Sequence, residues 1–326
     1  MTGPRVSVVI PCYNAAPWIG DAVRSAVSQT DVGIEVLVVD DGSTDDSAAL
    51  AEEAGAPTVR VVRQVNGGAS RARNAGTAAV SGEFLQYLDA DDVLTPGTLA
   101  RRVARLESTG ADVAYCDWVR WVRNRQGSFV EREVVRRTLS GLPDVDLVGD
   151  FWWPPAALLY RRVLVDRIGP WREDLPIIQD ARFLQDAAFV GGTFVHVPGV
   201  GAKYRVHGPD SLSRWNRSAF LDDCFRNGVQ IEQMWVRDGM LTPARRQILA
   251  RVFAHVARGS ATRHPARFEA ALERVAALDP TFSVEGDAVV RGLSRLIGFR
   301  RAEYAAAWWQ RGRAALGTAI RGRSIC

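Results

Sequence analysis

The sequence predicts an α/β fold: a doubly wound sheet, fused to a second region and followed by a C-terminal helical segment. Two observations carry this expectation. Near-continuous apolar runs at 6–10, 35–39, 59–62 and 83–88 alternate with stretches of helical spacing, the pattern of parallel strands covered on both faces. Beyond residue 213 the strand signals stop, and 219–238, 242–259, 265–278 and the chain from 286 onward all read as helix. The length of 326 residues, 47% hydrophobic, suits one large domain with an appendage or two domains.

Each element has its own signal. The run at 6–10 ends at Pro11, and Ile19, Val23, Ala26 and Val27 then recur at helical spacing within 18–29. The strand at 35–39 closes in Asp40-Asp41-Gly42-Ser43, where Ser43 or Thr44 caps a helix over 44–54. The strand at 59–62 precedes a small-residue helix over 70–80 and a fourth strand at 83–88. After Asp92 the spacing predicts a helix over 96–108, an extended segment over 112–122 and a hairpin around Gly127 within 124–137. Residues 142–155 read as loop, 180–189 as helix, and 193–197 and 200–206 as two strands.

Composition excludes several classes. The cysteines Cys12, Cys116, Cys224 and Cys326 include no CxxC pair, which argues for reduced thiols in a cytoplasmic protein and against a disulfide framework or zinc ribbon. The first apolar run is too short for a leader, and no run reaches the roughly 20 apolar residues of a membrane span. The net charge of +4 is mild, and no nucleic-acid partner is expected. No GxGxxG follows the first strand, which argues against a dinucleotide oxidoreductase. The tail over 290–326 holds eight arginines against Glu303. It reads as a membrane-surface contact, making the protein peripheral, or as a solvated helix face. Trp308 and Trp309 read as an interface pair, a packing contact or a homodimer contact.

Ligands of open parallel sheets sit beyond the carboxyl ends of the strands. There the chain places Pro11, Tyr13 and Asn14 after strand one, Asp40 and Asp41 after strand two, and Asp89-Ala90-Asp91-Asp92 after strand four. An aromatic ring, an amide and several carboxylates thus meet in one crevice. Crowded carboxylates resist joint ionisation unless a cation offsets them, and hard oxygen ligands suit Mn2+ or Mg2+. One Asp-x-Asp by itself is better read as a helix-capping turn; convergence of the strand ends reverses that. Asn66-Gly67-Gly68, entering a helix that carries Arg73, adds an anion-attracting terminus.

These blocks, together with Ala72-Arg73-Asn74-Ala75-Gly76, resemble the inverting family 2 glycosyltransferases of the GT-A fold, over about residues 5–213. The resemblance implies a nucleotide-sugar donor, a UDP-sugar in the first instance, with residues 1–110 as the donor-binding half and 111–214 as the acceptor-binding half. Pro11, Tyr13 and Asn14 would line the base and ribose pocket, Asp41 would meet the base edge, and Asp40 would support that loop. Arg73 would lie near the donor sugar or diphosphate, Asp89 near ribose or sugar, and Asp91 on the metal. His207 would approach the metal or diphosphate.

The family usually carries Glu-Asp where this chain has Gln179-Asp180. The resemblance assigns the catalytic base to Asp180, with Asp186 and Glu173 as alternatives. Arg205 is a candidate for bidentate phosphate pairing, Asp92 for a further diphosphate contact, and Trp152 or Trp153 for an acceptor platform or core packing. The resemblance further implies a sugar, lipid-linked or other hydroxyl acceptor, in bacterial surface polysaccharide or glycolipid synthesis. Two rivals stay open: a sugar-1-phosphate nucleotidyltransferase, and a catalytically silent nucleotide-sugar-binding protein, which Gln179 favours.

Overall fold

A computed structural model of the chain describes residues 5–149, 152–207, 216–283 and 297–305. The chain divides into two compact units, Met1–Trp215 and Asn216–Cys326. Most of the basic tail, including Trp308 and Trp309, lies outside the described residues, as do Asp210, Ser211 and Ser213.

The first unit opens with alternating strands and helices: β1 (Val6–Cys12), α1 (Ile19–Val27), β2 (Ile34–Asp40), α2 (Ser47–Gly55), β3 (Val59–Arg63), α3 (Ala69–Ala79) and β4 (Phe84–Tyr87). All seven residues of β1 are buried, as a central strand covered on both faces requires. In α1, Ile19, Ala22, Val23 and Ala26 are buried, one helical stripe against the sheet. β3, β2, β1 and β4 pair in parallel. Gly76 lets α3 lie close on this layer: a Cβ there would stand 2.4 Å from Val9 Cγ1 and 3.2 Å from Val39 Cγ2.

The rest of the unit adds β5 (Val93–Leu94), α4 (Thr98–Thr109), β6 (Val113–Arg123), β7 (Phe129–Val135), α5 (Pro143–Gly149), β8 (Leu158–Arg161), α6 (Arg162–Ile168), α7 (Gln179–Phe189) and β9 (Phe194–Val206). The sheet runs β3-β2-β1-β4-β8-β6-β9-β5, with β7 paired to β6. Beyond β4 it is mixed, because β8 is antiparallel to both β4 and β6 while β9 runs parallel to β6. The parallel layer expected of the first hundred or so residues is present, and the mixed pairing falls in the half after Asp92. Arg102 on α4 bolts this half together. Fully buried, it donates to Gln86 Oε1 on β4 at 2.6 Å and to the Gly201 carbonyl on β9 at 3.2 Å.

Two local expectations change. The two strands expected at 193–197 and 200–206 are one, β9 (Phe194–Val206), with a bulge, since β6 residues Cys116 and Asp117 pair with Val197 and Val200 and skip Pro198 and Gly199. Proline has no N–H for the ladder, and the Gly199 N–H instead donates to Asp117 Oδ2 at 3.2 Å. The stretch 142–155 contains α5 rather than only loop, and β8 and α6 follow a short 3-10 turn at Pro155–Ala157. β8 is too short to announce itself by period, and the residue before α6 is Arg161, which offers no capping oxygen.

The second unit is helical where described: α8 (Arg217–Arg237), α9 (Pro243–Ser260) and α10 (Pro265–Leu278). Asn216 and Thr242 cap α8 and α9 through their side-chain oxygens. Leu249, Phe253, Val256, Phe268, Leu272 and Val275 are buried among these helices.

Candidate active site

A cleft of about 950 Å3 opens beyond the carboxyl ends of β1, β2 and β4. Pro11, Tyr13, Asn14, Asp41, Arg73, Asp89, Asp91 and His207 all line it. Topology brings them together: adjacent parallel strands end at one level, so residues far apart in sequence face the same space.

On the β1–β2 side, Tyr13 is half exposed and available to a flat ligand. Asn14 adopts a positive φ of 47° and its Oδ1 accepts from the Thr44 N–H at 2.9 Å, while its own N–H donates to Ser43 Oγ at 3.0 Å. These bonds lock the two strand-end loops to each other. Asp41 clasps the glycine turn, its Oδ2 accepting from the Gly68 N–H at 2.7 Å and its Oδ1 from the Gly67 N–H at 2.9 Å. Asp40 does not reach the cleft. It is fully buried, accepts from the Ser43 N–H at 3.0 Å and pairs with Arg63 at 2.7 Å, so it shapes the loop.

On the floor, Arg73 reaches from α3 to Asp89, with which it forms a short hydrogen-bonded ion pair. The guanidinium lies 4.5 Å from the Trp171 ring, and Trp171 stacks on Phe183 at 4.1 Å. Arg73 Nε and Nη1 are buried without a hydrogen-bond partner. Such unsatisfied donors are costly in a ligand-free site. Burial raises the Asp89 carboxyl above its ordinary range, opposed by Arg73.

Asp91 Oδ2 lies 2.7 Å from His207 Nε2, and the His207 ring sits 5.3 Å from that of Trp18. Asp92 points the other way: fully buried, it accepts from the Arg205 N–H at 2.9 Å. Burial, then the nearby Asp91 and Asp89, push its carboxyl well above the ordinary range.

Arg205 is not presented to a phosphate. Its guanidinium is packed among Trp18, Trp121 and Phe129 at 4.4–4.6 Å, donates to the Asp91 carbonyl at 2.7 Å and pairs with Asp21 at 3.0 Å. Rings and a carboxylate that spend a guanidinium in this way leave it a structural brace. Trp153 is likewise core, 2% exposed and edge-on to Tyr115 at 5.0 Å.

Asp180 opens α7 beside Gln179, which lines the cleft. Asp180 is not itself a lining residue but stands near enough to Asp89 for the charges to interact. Its Oδ2 accepts from Trp152 Nε1 at 2.6 Å and its Oδ1 from the Ala181 N–H at 2.8 Å. Burial raises its carboxyl above the ordinary range; those two donors act in the opposite sense. Gln179 Oε1 lies 2.7 Å from Ser70 Oγ, which fastens α7 to α3. Of the alternative bases, Glu173 is exposed outside the cleft and Asp186 is paired with Arg182 at 2.8 Å.

Trp18, Arg123 and Phe129 also line the cleft. The sequence offered no signal for them, because α1 read as ordinary amphipathic helix and the β6–β7 hairpin reaches the site only through long-range pairing. Among the described residues no three His, Cys, Asp or Glu side chains form a self-sufficient metal cage. Asp91 and His207 give one hard oxygen and one imidazole nitrogen facing the cleft. That pair suits a divalent ion completed by ligand oxygens and water, and the imidazole favours Mn2+ over Mg2+.

The chain is similar to several known proteins. Residues 7–159 match the family model described as Glycosyl transferase family 2. The succinoglycan biosynthesis protein ExoO of Rhizobium meliloti is 30% identical over 246 residues, 73% of this chain and 70% of that protein. An uncharacterised glycosyltransferase of Bacillus subtilis, EpsJ, is 30% identical over 193 residues, and the alignment spans 55% of its length. Among solved structures, S. aureus TarS 1-349 in complex with UDP-GlcNAc aligns with a TM-score of 0.63 at 19% identity, covering 96% of this chain and 92% of that one. The Pyrobaculum calidifontis mannosyltransferase PcManGT, in complex with GDP-Man and Mn2+, aligns with a TM-score of 0.54 at 20% identity, covering 95% and 88%. These likenesses establish the GT-A fold of the first unit with a helical region after it.

Proposed function

The chain belongs to glycosyl transferase family 2 and is a glycosyltransferase, and from that premise we propose that it moves a sugar from a UDP-linked donor to a hydroxyl acceptor with inversion, in the assembly of a bacterial surface polysaccharide or glycolipid. The observation that carries this reading is the meeting of the Asp91–His207 pair, the Arg73–Asp89 pair and Tyr13 in one cleft. The binding of UDP-GlcNAc by TarS supports a UDP-sugar, the Mn2+ bound by PcManGT supports that metal, and the likeness to a succinoglycan biosynthesis protein supports polysaccharide synthesis.

In this reading Tyr13 stacks on the base, and the unpartnered Arg73 Nε and Nη1 donate to the donor sugar or diphosphate. Asp91 and His207 would hold Mn2+ or Mg2+, whose chemistry there is to offset the charge of the departing diphosphate. Asp180 takes the proton from the acceptor hydroxyl. The acceptor oxygen bonds to the anomeric carbon as the bond from that carbon to the diphosphate oxygen breaks, and the nucleoside diphosphate leaves with the electron pair. One displacement inverts the anomeric centre and needs no covalent enzyme intermediate.

Among the described residues no helix is long and apolar enough to cross a membrane. A lipid-linked acceptor met at a membrane surface, through the arginine-rich 290–326, is part of the proposal. Co-sedimentation with anionic liposomes, with and without those residues, tests it; equal sedimentation removes it.

The direct test of the mechanism is Asp180→Asn. Nucleotide binding should survive while transfer falls at least about 100-fold, the scale of general base catalysis. Transfer near the wild-type rate would overturn the assignment of the base.

A further inference from the structure

Asp180 is held by an indole. Trp152 Nε1 donates to Asp180 Oδ2 at 2.6 Å, across the 28 residues that separate them in sequence. The indole is itself clamped edge-on by two rings, Tyr204 at 5.2 Å and 77° and Trp118 at 5.7 Å and 85°. Trp118 and Tyr204 also meet edge-on at 5.5 Å and 76°, from the neighbouring strands β6 and β9. A three-ring cluster rooted in the sheet therefore fixes the direction of one N–H toward one carboxylate oxygen.

We infer that Trp152 is a positioning residue for the catalytic base: its indole N–H orients the Asp180 carboxylate and favours its ionised form. This rests on the proposed role of Asp180. An indole nitrogen is a donor only, so it cannot exchange roles and accept a proton from a protonated Asp180. Either form of the carboxyl can accept this N–H, but the bond to the charged carboxylate is the stronger, so it favours the form that can act as a base. With the Ala181 N–H on Oδ1, the carboxylate is fixed at both oxygens, and each oxygen keeps a lone pair for the acceptor proton. Burial works in the other sense by raising this carboxyl, and the indole bond and the Arg73 guanidinium of α3 both limit that rise; Asp89 and Tyr204 are further titratable groups near enough to interact with it.

The test uses the full chain labelled with 13C at aspartate Cγ, with the Asp180 resonance assigned by its loss in Asp180→Asn. Trp152→Phe keeps the ring but removes the donor. The midpoint of the Asp180 titration should rise by about one to two pH units, the scale of one hydrogen bond to a charged group. The acid limb of UDP release from UDP-N-acetylglucosamine should move with it, while UDP affinity stays within about twofold. Trp152→His, whose ring can again offer an N–H, should recover part of the shift. An unchanged midpoint in Trp152→Phe overturns the inference, even if turnover falls at every pH, because a merely structural tryptophan would behave that way. A shifted midpoint with Asp180→Asn as active as the wild type removes the base assignment and this inference with it.

Discussion

His207 Nε2 lies 2.7 Å from Asp91 Oδ2, although 116 residues separate them in the chain. Asp91 follows β4, and His207 follows β9, so the pair is a product of the sheet order and not of local sequence. Asp91 is braced from behind: its carbonyl accepts from Arg205 Nε at 2.7 Å, and Arg205 is set among three aromatic rings. The brace fixes the backbone while the carboxylate stays toward the cleft.

Removing either member should therefore weaken metal-dependent nucleotide binding. Asp91→Asn and His207→Ala are each expected to lower UDP affinity in Mn2+ at least tenfold, the scale on which metal-site residues act. In excess chelator both variants should match the chelated wild type. Isothermal titration calorimetry checks this, and a loss that persists without metal would show damage to the fold instead.

Gly76→Ala should destabilise the first unit. Its Cβ would be placed 2.4 Å from Val9 Cγ1, and overpacking of this kind costs about 1–3 kcal/mol. Arg73 lies three residues earlier on the same helix, so the lifted helix should also carry the guanidinium away from Asp89. A lower urea midpoint together with weaker UDP binding is the expected outcome.

The pH dependence follows from the raised Asp180 carboxyl. A raised value means the proton stays on to a higher pH, and a base works only after losing it. Activity should therefore fall as pH drops through a midpoint above the ordinary aspartate value of about 3.9, and hold above it. The acid limb of kcat for UDP release measures this, and a limb at or below the ordinary value would contradict it.

Much of this site was legible from strand ends. Pro11, Tyr13, Asn14, Asp41, Asp89 and Asp91 follow near-continuous apolar runs whose ends mark where the strands stop, and the topology of a parallel layer does the rest. Residues whose roles depend on distant partners were not legible. Arg205 suggested a phosphate ligand until the rings of Trp18, Trp121 and Phe129 proved to enclose it. Asp92 and Asp89 sit in one motif, yet one is buried behind the Arg205 N–H and the other lines the cleft. In the fold, β8 escaped notice because four residues carry no clear period and its antiparallel place between β4 and β6 is set by pairing.

The claim at the centre is that the cleft is a metal-assisted nucleotide-sugar donor site, and calorimetric titration of the wild-type chain with UDP, in Mn2+ and again in excess EDTA, tests it most directly. One UDP per chain, bound in Mn2+ and weakened at least tenfold by the chelator, is the predicted result; no UDP binding, or equal affinity with and without metal, would contradict it.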